Sequence, residues 1–209
     1  VDYTKEDTGG SFGGGGTTTL PTEPTTTCPF TDLTGHWSKD EVERAWTQGL
    51  VTGMTETTFV PDAGLTRAMA VTMLHRMAGA PATTATTAFT DVPAGTWYAQ
   101  AVAWAAETGV VKGMTETTFA PDEAVTRAQL ATMLYRYAQT KGEGYTGAWM
   151  FLLDVPDRAD IADWAYEAVC WLNTNDVLKG RDDGRIDPQG GATRAEAAAL
   201  YLRLADKLA

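Results

Sequence analysis

The sequence predicts a mainly α-helical fold in which one helix-loop-helix unit occurs three times. The first observation is repetition: "GMTETTFVPDAGLTRA" at 53–68 returns as "GMTETTFAPDEAVTRA" at 113–128, and more loosely as "GRDDGRIDPQGGATRA" at 180–195. The second is that apolar side chains follow each "TRA" at spacings of three and four, as on one face of a helix. Fixed columns on both sides of a loop indicate one supersecondary unit used three times.

The chain divides into a tether and three repeats. Residues 1–27, rich in Gly, Thr and Pro, cannot bury enough apolar surface to offset the entropy of ordering, so we interpret them as a flexible linker. The repeats run over 28–82, 83–142 and 143–209, and the third carries an insertion around "KGEGYTGAWMF". Residues 1–27 have neither the charged region nor the apolar region of a signal peptide, and we expect the tether to connect to a cargo domain.

The first helix of repeat 1 is predicted to begin with a capping box formed by Ser38 and Glu41 and to end at Gly49, which can take the left-handed conformation. Its counterparts are predicted at about 96–109 and about 161–174. The loops carry Gly and Pro at fixed positions, so we expect at most short extended segments there.

Each second helix is predicted to begin at the threonine of "TRA", whose hydroxyl can accept from a backbone N–H two or three residues on. Gln129 and Glu196 complete a capping box in repeats 2 and 3, whereas Met69 leaves repeat 1 without one. The apolar stripe of each helix should pack against the sister repeats. Its members are Ala70, Met73, Leu74 and Met77, then Leu130, Met133, Leu134 and Tyr137, then Ala197, Leu200, Tyr201 and Leu204.

The arginine of each "TRA" is the residue whose presence is least explained by a purely structural role. These arginines are Arg67, Arg127 and Arg194. Each puts a positive charge beside the positive end of its helix dipole, which is unfavourable by roughly a few tenths of a kcal/mol. They could form structural ion pairs, or they could join free helix N–H groups in an anion site. Arg76, Arg136 and Arg203 lie late in the same helices, where the dipole favours a cation, and need no function.

Other aligned columns add candidate ligand contacts. A tryptophan near the start of each first helix could stack on a sugar, although tryptophan in a small helical repeat is more often core. Trp104 and Trp171 lie deep in a helix and are interpreted as packing residues. Lys112 and Lys179 precede the loop glycine, where repeat 1 has Thr52, so we expect the groove of repeat 1 to be the less basic. The tryptophans are Trp37, Trp97 and Trp164, and the glycines are Gly53, Gly113 and Gly180.

Charge and composition argue against several classes of function. The 209 residues carry a net charge of -11, which disfavours nonspecific binding to nucleic acid or to anionic lipid. No apolar run approaches the roughly 20 residues of a membrane helix. The two cysteines, Cys28 and Cys170, could form a disulfide or remain two thiols.

Catalysis has little support in the sequence. Ser11 and Ser38 are the only serines, and the two histidines, His36 and His75, show neither triad nor metal spacing. The "RDDGR" at 181–185 lacks the ligand pattern of a calcium loop and is better explained as a turn. We therefore expect a noncatalytic chain with no metal and no cofactor.

The repeated columns resemble the S-layer homology family. The matching segments are "FTDLTGHW", "GLVTG", "FVPD" and "LTRAM" in repeat 1, "FTDVPAGTW", "GVVKG", "FAPD" and "VTRAQ" in repeat 2, and "LLDVPDRADIADW", "DVLKG", "IDPQ" and "ATRAE" in repeat 3. The resemblance covers residues 28–207 and implies a monomeric pseudo-threefold spindle around a central helical bundle. It also implies an extracellular location at the bacterial cell wall, where grooves between repeats bind secondary cell-wall polysaccharide, often through a pyruvylated N-acetylmannosamine end.

Carried over by position, the resemblance implies that the "TRA" arginines meet the pyruvyl carboxylate and the three tryptophans meet the sugar face. The loop glycines would give backbone clearance, and the two loop lysines would add positive charge. Met69, Gln129 and Gln189 depart from the family pattern, so one or two grooves are expected to be degenerate. Two alternatives stay open, namely surface-layer self-assembly and binding of diamine-modified peptidoglycan. A cationic diamine would favour acidic grooves, whereas the early arginines favour an acid.

Overall fold

The computed structural model describes residues 27–147 and 152–209, so the predicted tether lies outside it except for Thr27. The described residues form six α-helices and two short 3-10 helices, with no strand beyond three isolated β-bridges. The mainly α-helical prediction is confirmed. The helices are α1 (Lys39–Thr47), α2 (Arg67–Met77), α3 (Ala99–Glu107), α4 (Arg127–Thr140), α5 (Asp163–Thr174) and α6 (Arg194–Leu208), and the 3-10 helices are Thr31–Leu33 and Arg158–Asp160.

The second helix of each repeat begins as predicted. The side chain of each "TRA" threonine accepts from the backbone N–H three residues on, and repeats 2 and 3 have the full capping box with Gln129 and Glu196. The capping box predicted for α1 is wrong, because the hydroxyl of Ser38 pairs with His36 Nδ1 at 2.8 Å instead. Helices α3 and α5 also begin later than predicted, at Ala99 and Asp163.

The six helices form a closed ring rather than three separate hairpins. Helices α2, α4 and α6, one from each repeat, contact one another in the centre. Each first helix packs on the second helix of the preceding repeat: α3 on α2, α5 on α4 and, closing the ring, α1 on α6. The predicted apolar stripes are buried in this core except for the partly buried Met77. Packing against sister repeats is therefore confirmed, and the arrangement is pseudo-threefold.

Backbone hydrogen bonds close the same ring where the three "TRA" segments meet. The N–H of Leu65 donates to Ala192 O at 2.8 Å, that of Ala192 to Val125 O at 2.9 Å, and that of Val125 to Leu65 O at 2.9 Å. All three residues are at most 1% exposed, so the triangle is shielded from water. Because each bond needs two different repeats, a single repeat cannot satisfy these groups alone.

An aspartate holds the loop of each repeat. In repeat 3, Asp157 accepts from the N–H of Ile186 at 2.9 Å and from that of Asp187 at 2.7 Å. Asp32 and Asp91 make the equivalent contacts in repeats 1 and 2. The carboxylate thereby fixes the backbone at the point where the loop turns towards its proline.

The loop turn is strained at the same position in every repeat. The residue before the proline has a positive φ although it is not glycine: Val60 at 57°, Ala120 at 60° and Asp187 at 54°. This conformation is uncommon, and for a β-branched residue such as valine it is an outlier with a cost on the order of 1–3 kcal/mol. The bonds to the aspartates stabilise the turn and offset this strain.

The pKa of Asp157 predicts acid-sensitive stability. Burial would raise this pKa, but the N–H groups of Ile186 and Asp187, with Arg185, outweigh it and lower the pKa below its ordinary value. A carboxyl group with a lowered pKa in the folded state stabilises that state above its unfolded pKa, near about 3.9, and this contribution is lost as pH falls through the folded pKa.

We therefore expect Asp157→Asn to lower the free energy of unfolding at pH 7 by about 1–3 kcal/mol, since one buried N–H loses its acceptor. Chemical denaturation as a function of pH measures this, and the difference from wild type should shrink below about pH 4. The matched control is Asp122→Asn at an exposed carboxylate in the equivalent loop region of repeat 2. Equal stability of the two variants at pH 7 would contradict the role given to Asp157.

Candidate functional site

The "TRA" arginines bind the loop of the next repeat. Arg67, only 4% exposed, donates from Nε to Phe119 O at 2.8 Å and from Nη2 to Lys112 O at 3.0 Å. Both acceptors are main-chain carbonyl groups of repeat 2. The guanidinium therefore ties the start of α2 to both ends of the repeat 2 loop.

The same two bonds recur around the ring. Arg127 reaches Ile186 O at 2.7 Å and Lys179 O at 3.0 Å in repeat 3. Arg194 reaches from repeat 3 to Phe59 O and Thr52 O in repeat 1, both at 2.9 Å. Neither of the two alternatives weighed from the sequence describes this contact, because the shared partners are carbonyl oxygens rather than carboxylates or free anions.

One of the two alternatives joined the arginine to free helix N–H groups, but these N–H groups are already bonded. The N–H of Arg67 donates to Glu123 O, that of Ala68 to Pro121 O and that of Met69 to the hydroxyl of Thr66. The corresponding N–H groups of α4 and α6 are bonded in the same way. The helix N-termini are thus occupied by protein, and the guanidinium is the donor that remains for a ligand.

The outer contacts of the three arginines differ. Arg67 lies 4.7 Å from the ring centre of Phe119, and Arg194 lies 4.5 Å from that of Phe59, both in cation-π geometry. Repeat 3 has an isoleucine in place of this ring, and Arg127 instead has Nη1 3.3 Å from Glu196 Oε1. One arginine of the three therefore has a carboxylate partner within hydrogen-bonding distance.

The three aligned tryptophans lie on the surface. Trp37, Trp97 and Trp164 are 58%, 63% and 58% exposed, so the common assumption that such residues are core fails here. Trp104 and Trp171 are buried, which confirms their assignment to packing. Three large aromatic faces are thus presented to solvent at equivalent positions.

One of these tryptophans shares a cavity with a buried arginine and a loop glycine. We call groove A the cavity of about 370 Å³ beside the repeat 1 loop, with Gly53 and Arg194 in its wall and Trp97 at its edge. Its remaining lining comes from the loop and α2, including Arg76. Because Trp97 belongs to repeat 2 and Arg194 to repeat 3, all three repeats contribute to groove A.

Groove C is the corresponding cavity beside the repeat 3 loop, with a volume of about 760 Å³. It is lined by Arg127 from repeat 2, Trp37 from repeat 1, and Gly180 and Lys179 from the loop itself. Groove B is our name for the equivalent position beside the repeat 2 loop, where Arg67 donates to Lys112 O. Trp164 lies at the start of α5, and α5 packs on α4.

The charges of the two cavities reverse the expectation drawn from the lysine column. Four cations and three carboxylates line groove C. Groove A has no lysine, but it has two arginines and no carboxylate in its lining. The expectation that the groove of repeat 1 is less basic than the other two is therefore wrong with respect to groove C, since the lysine column counts cations and misses the acids beside them.

The loop glycines are needed by the loop itself. A Cβ on Gly53 would lie 2.7 Å from Thr58 O, and one on Gly113 would lie 2.8 Å from Thr118 O. Gly180 is less crowded, with its nearest such contact 3.1 Å away at Gly184 O. The turn geometry explains the glycines, and their clearance for a ligand stays a prediction.

The histidines and cysteines form no further site. His36 lies between Ser38 and Asp62, but Ser38 is fully buried, so its hydroxyl is closed to a substrate. Cys28 and Cys170 are both free thiols, and the disulfide is not formed. Among residues 27–147 and 152–209, no group of His, Cys, Asp and Glu could hold a metal ion, and no helix could cross a bilayer.

Sequence reasoning missed two sets of residues at this site. The quoted segments of repeats 1 and 2 contain Asp32 and Asp91, but these aspartates were given no role. In repeat 3 the loop is held by Asp157 rather than by Asp154 of "LLD". Arg76 was assigned no function because the helix dipole alone explains a late cation, yet it lines groove A. A comparison of the residues facing each loop, rather than of each column alone, would have found both.

These observations define a ring of three repeats with a cavity at two of the junctions and equivalent residues at the third, and comparison with known proteins identifies its class. The S-layer homology domain matches residues 29–70, 88–131 and 156–198, more than half of the chain. The chain belongs to the S-layer homology family. This membership makes it a bacterial cell-surface module.

Several larger proteins are similar to this chain. An amylopullulanase from Thermoanaerobacterium thermosulfurigenes is 32% identical over 85% of this chain and 10% of its own length. Exoglucanase XynX from Acetivibrio thermocellus is 30% identical over 85% of this chain and 16% of its own length. A cellulosome-anchoring protein from Acetivibrio thermocellus is 30% identical over 69% of this chain and 33% of its own length. The chain thus spans about a third or less of the length of these relatives.

The arginine contacts predict a large effect on stability. Arg194→Ala should lower the free energy of unfolding by about 2–4 kcal/mol, because the carbonyl groups of Phe59 and Thr52 lose a charged donor. Denaturant unfolding measures the change. The control, Arg158→Ala at an exposed arginine, should stay within about 0.5 kcal/mol of wild type. An Arg194→Ala protein as stable as wild type would contradict the structural role.

Proposed function

We propose that the chain anchors a cell-surface protein noncovalently to the bacterial cell wall by binding secondary cell-wall polysaccharide. Membership of the S-layer homology family supports anchoring, as does the similarity to a cellulosome-anchoring protein. Groove A carries the proposal, because buried Arg194 and exposed Trp97 face one cavity that has no carboxylate in its lining. A ligand with both a sugar face and an acid group suits this pair.

The ligand we propose is a pyruvylated N-acetylmannosamine end of that polysaccharide. A planar guanidinium binds a carboxylate through directed N–H bonds, and a low-dielectric surrounding strengthens them. The exposed indole offers an apolar face for the ring of the sugar. Arg67 and Arg194 would meet the carboxylate, the three exposed tryptophans would meet the sugar, and Lys112 would add positive charge at groove B.

In this proposal the chain is a noncatalytic module. Amylopullulanase and exoglucanase XynX are much longer than this chain, so their catalytic names need not apply to the part they share with it. Residues 1–27 would connect the module to a cargo whose activity is separate. The ring itself would act as a monomeric pseudo-trimer, because its repeats already supply each groove from within one chain.

The exposed tryptophans give the cleanest test, since the arginines also hold the ring together. We expect the combined change Trp37→Ala, Trp97→Ala and Trp164→Ala to weaken binding to purified wall polysaccharide by about tenfold or more, as for interface anchor residues. The free energy of unfolding should change by no more than about 1 kcal/mol, because these side chains are mostly exposed. Sedimentation with wall fragments and chemical denaturation measure the two quantities.

The control variant is Leu152→Ala, at an exposed apolar side chain outside the lining of grooves A and C. Removing pyruvyl groups from the polysaccharide should weaken binding by wild type to a similar extent. If the tryptophan variant binds as tightly as wild type, the grooves are not the binding sites. If removing the pyruvyl groups leaves binding by wild type unchanged, the proposed ligand is wrong. Displacement by a diamine-modified peptidoglycan fragment would instead favour that alternative.

A further inference from the structure

We propose that Arg76 and Arg194 together form the carboxylate site of groove A, and that groove C takes no carboxylate because its own acids already pair with its arginines. The inference rests on the proposed function and adds which groove holds the acidic end of the polysaccharide. It also gives a binding role to Arg76, a residue that the helix dipole alone would account for.

In groove A, one nitrogen of a buried guanidinium is left for a ligand. Arg194 is 6% exposed, and Nε and Nη2 are bonded to carbonyl groups of repeat 1. Its Nη1 meets only the Sδ of Met69, at 3.9 Å, and a thioether sulfur is a weak acceptor. A carboxylate oxygen in the groove would be a much stronger partner for this N–H.

Arg76 is the second cation of groove A. It lines the same cavity, is half-buried, and has no hydrogen bond or ion pair with the described residues. Burial lowers the pKa of Arg194, and the charge of Arg76 lowers it further. The carboxylate of Asp32 acts in the opposite direction but does not cancel these two effects, so Arg76 and Arg194 repel each other across the groove. An anion placed between them would relieve this repulsion, and the methionines and Phe59 in the wall limit its screening by water.

In groove C, the equivalent arginines are already paired. Arg127 Nη1 lies 3.3 Å from Glu196 Oε1, and Arg181 Nη1 lies 2.6 Å from the same oxygen. Arg181 also pairs with Asp187 at 2.8 Å. Arg203, which aligns with Arg76, lies 3.8 Å from a carboxylate oxygen of Glu41 in α1 and donates to Val177 O at 3.5 Å. A ligand carboxylate would have to displace these acids.

Two aligned positions account for the difference between the grooves. At the third position of the second helix, groove A has Met69 where groove C has Glu196. After the loop glycine, groove A has Met54 where groove C has Arg181, whose side chain bridges two acids of repeat 3. Because of these two differences, the arginines of groove A have no carboxylate partner in the lining of the groove, whereas those of groove C are neutralised by acids.

A matched pair of variants tests the assignment. The whole chain is titrated in a calorimeter with a synthetic pyruvylated N-acetylmannosamine monosaccharide, and with N-acetylmannosamine as the uncharged control. We expect Arg76→Gln to remove one binding site per chain, or to weaken that site by about tenfold or more, because a charge-assisted bond is lost. Arg203→Gln, at the aligned position of α6, should leave the number of sites unchanged.

The reciprocal variant is Glu196→Gln. Gln129 already caps the equivalent helix of repeat 2, where its Oε1 accepts from the N–H of Thr126 at 3.0 Å, so the glutamine should preserve the cap. Removing the negative charge should free Arg127 and add one site for the pyruvylated monosaccharide. Thermal unfolding of each variant shows whether the ring is intact.

Each outcome decides a separate point. Failure of wild type to bind the pyruvylated monosaccharide would overturn both the proposed ligand and this inference. Binding by wild type that Arg76→Gln leaves unchanged would overturn the inference and leave the proposed function standing, as would equal losses in Arg76→Gln and Arg203→Gln. An unchanged number of sites in Glu196→Gln would overturn the role of Glu196 in closing groove C.

Discussion

The structure depends on how each loop is held between two opposite charges. An aspartate of the same repeat accepts the N–H groups at the loop turn, and an arginine of the preceding repeat donates to the carbonyl groups at both ends of the loop. In repeat 3 these residues are Asp157 and Arg127. Since every arginine belongs to a different repeat from its loop, the contact that shapes the loop also joins the repeats. The same interaction therefore fixes the geometry of the loop and closes the ring of repeats.

This arrangement explains why the arginine stands against its own helix dipole. The dipole costs a few tenths of a kcal/mol, roughly, whereas each buried carbonyl group left without a donor costs on the order of 1–3 kcal/mol. Arg67 supplies donors to two such groups at once, and the N-terminal N–H groups of α2 find acceptors in the same neighbouring loop. Two nitrogens of the guanidinium, Nε and Nη2, thus stabilise the fold, and the third nitrogen, Nη1, takes no part in these bonds.

The grooves follow from the order of packing. Because each first helix packs on the second helix of the preceding repeat, its tryptophan lies over a loop that its own repeat does not contain. Groove A takes its loop from repeat 1, Trp97 from repeat 2 and Arg194 from repeat 3. A single repeat could supply neither the cavity nor the buried arginine, so binding in the grooves requires the closed ring.

The sequence predicted the parts that local chemistry determines. Helix type, the threonine caps and the apolar stripes follow from spacing within one repeat, and these are confirmed. The partner of Arg67 lies about fifty residues away in the next repeat, and no local pattern specifies that contact. The exposure of Trp97 and the pairing of Arg127 with Glu196 also depend on which helices meet. The charge of each groove therefore could not be obtained from aligned columns alone.

In the function that we propose, a groove at a repeat junction holds the acidic end of the wall polysaccharide. The most direct measurement is nuclear magnetic resonance of the tryptophan indole and backbone amide N–H groups during titration with a pyruvylated wall saccharide. We expect the resonances of the Trp97 indole and the Gly53 amide to shift, and those of the buried indoles of Trp104 and Trp171 to stay unchanged. Saturable binding that leaves both groove A signals unchanged would contradict this proposal.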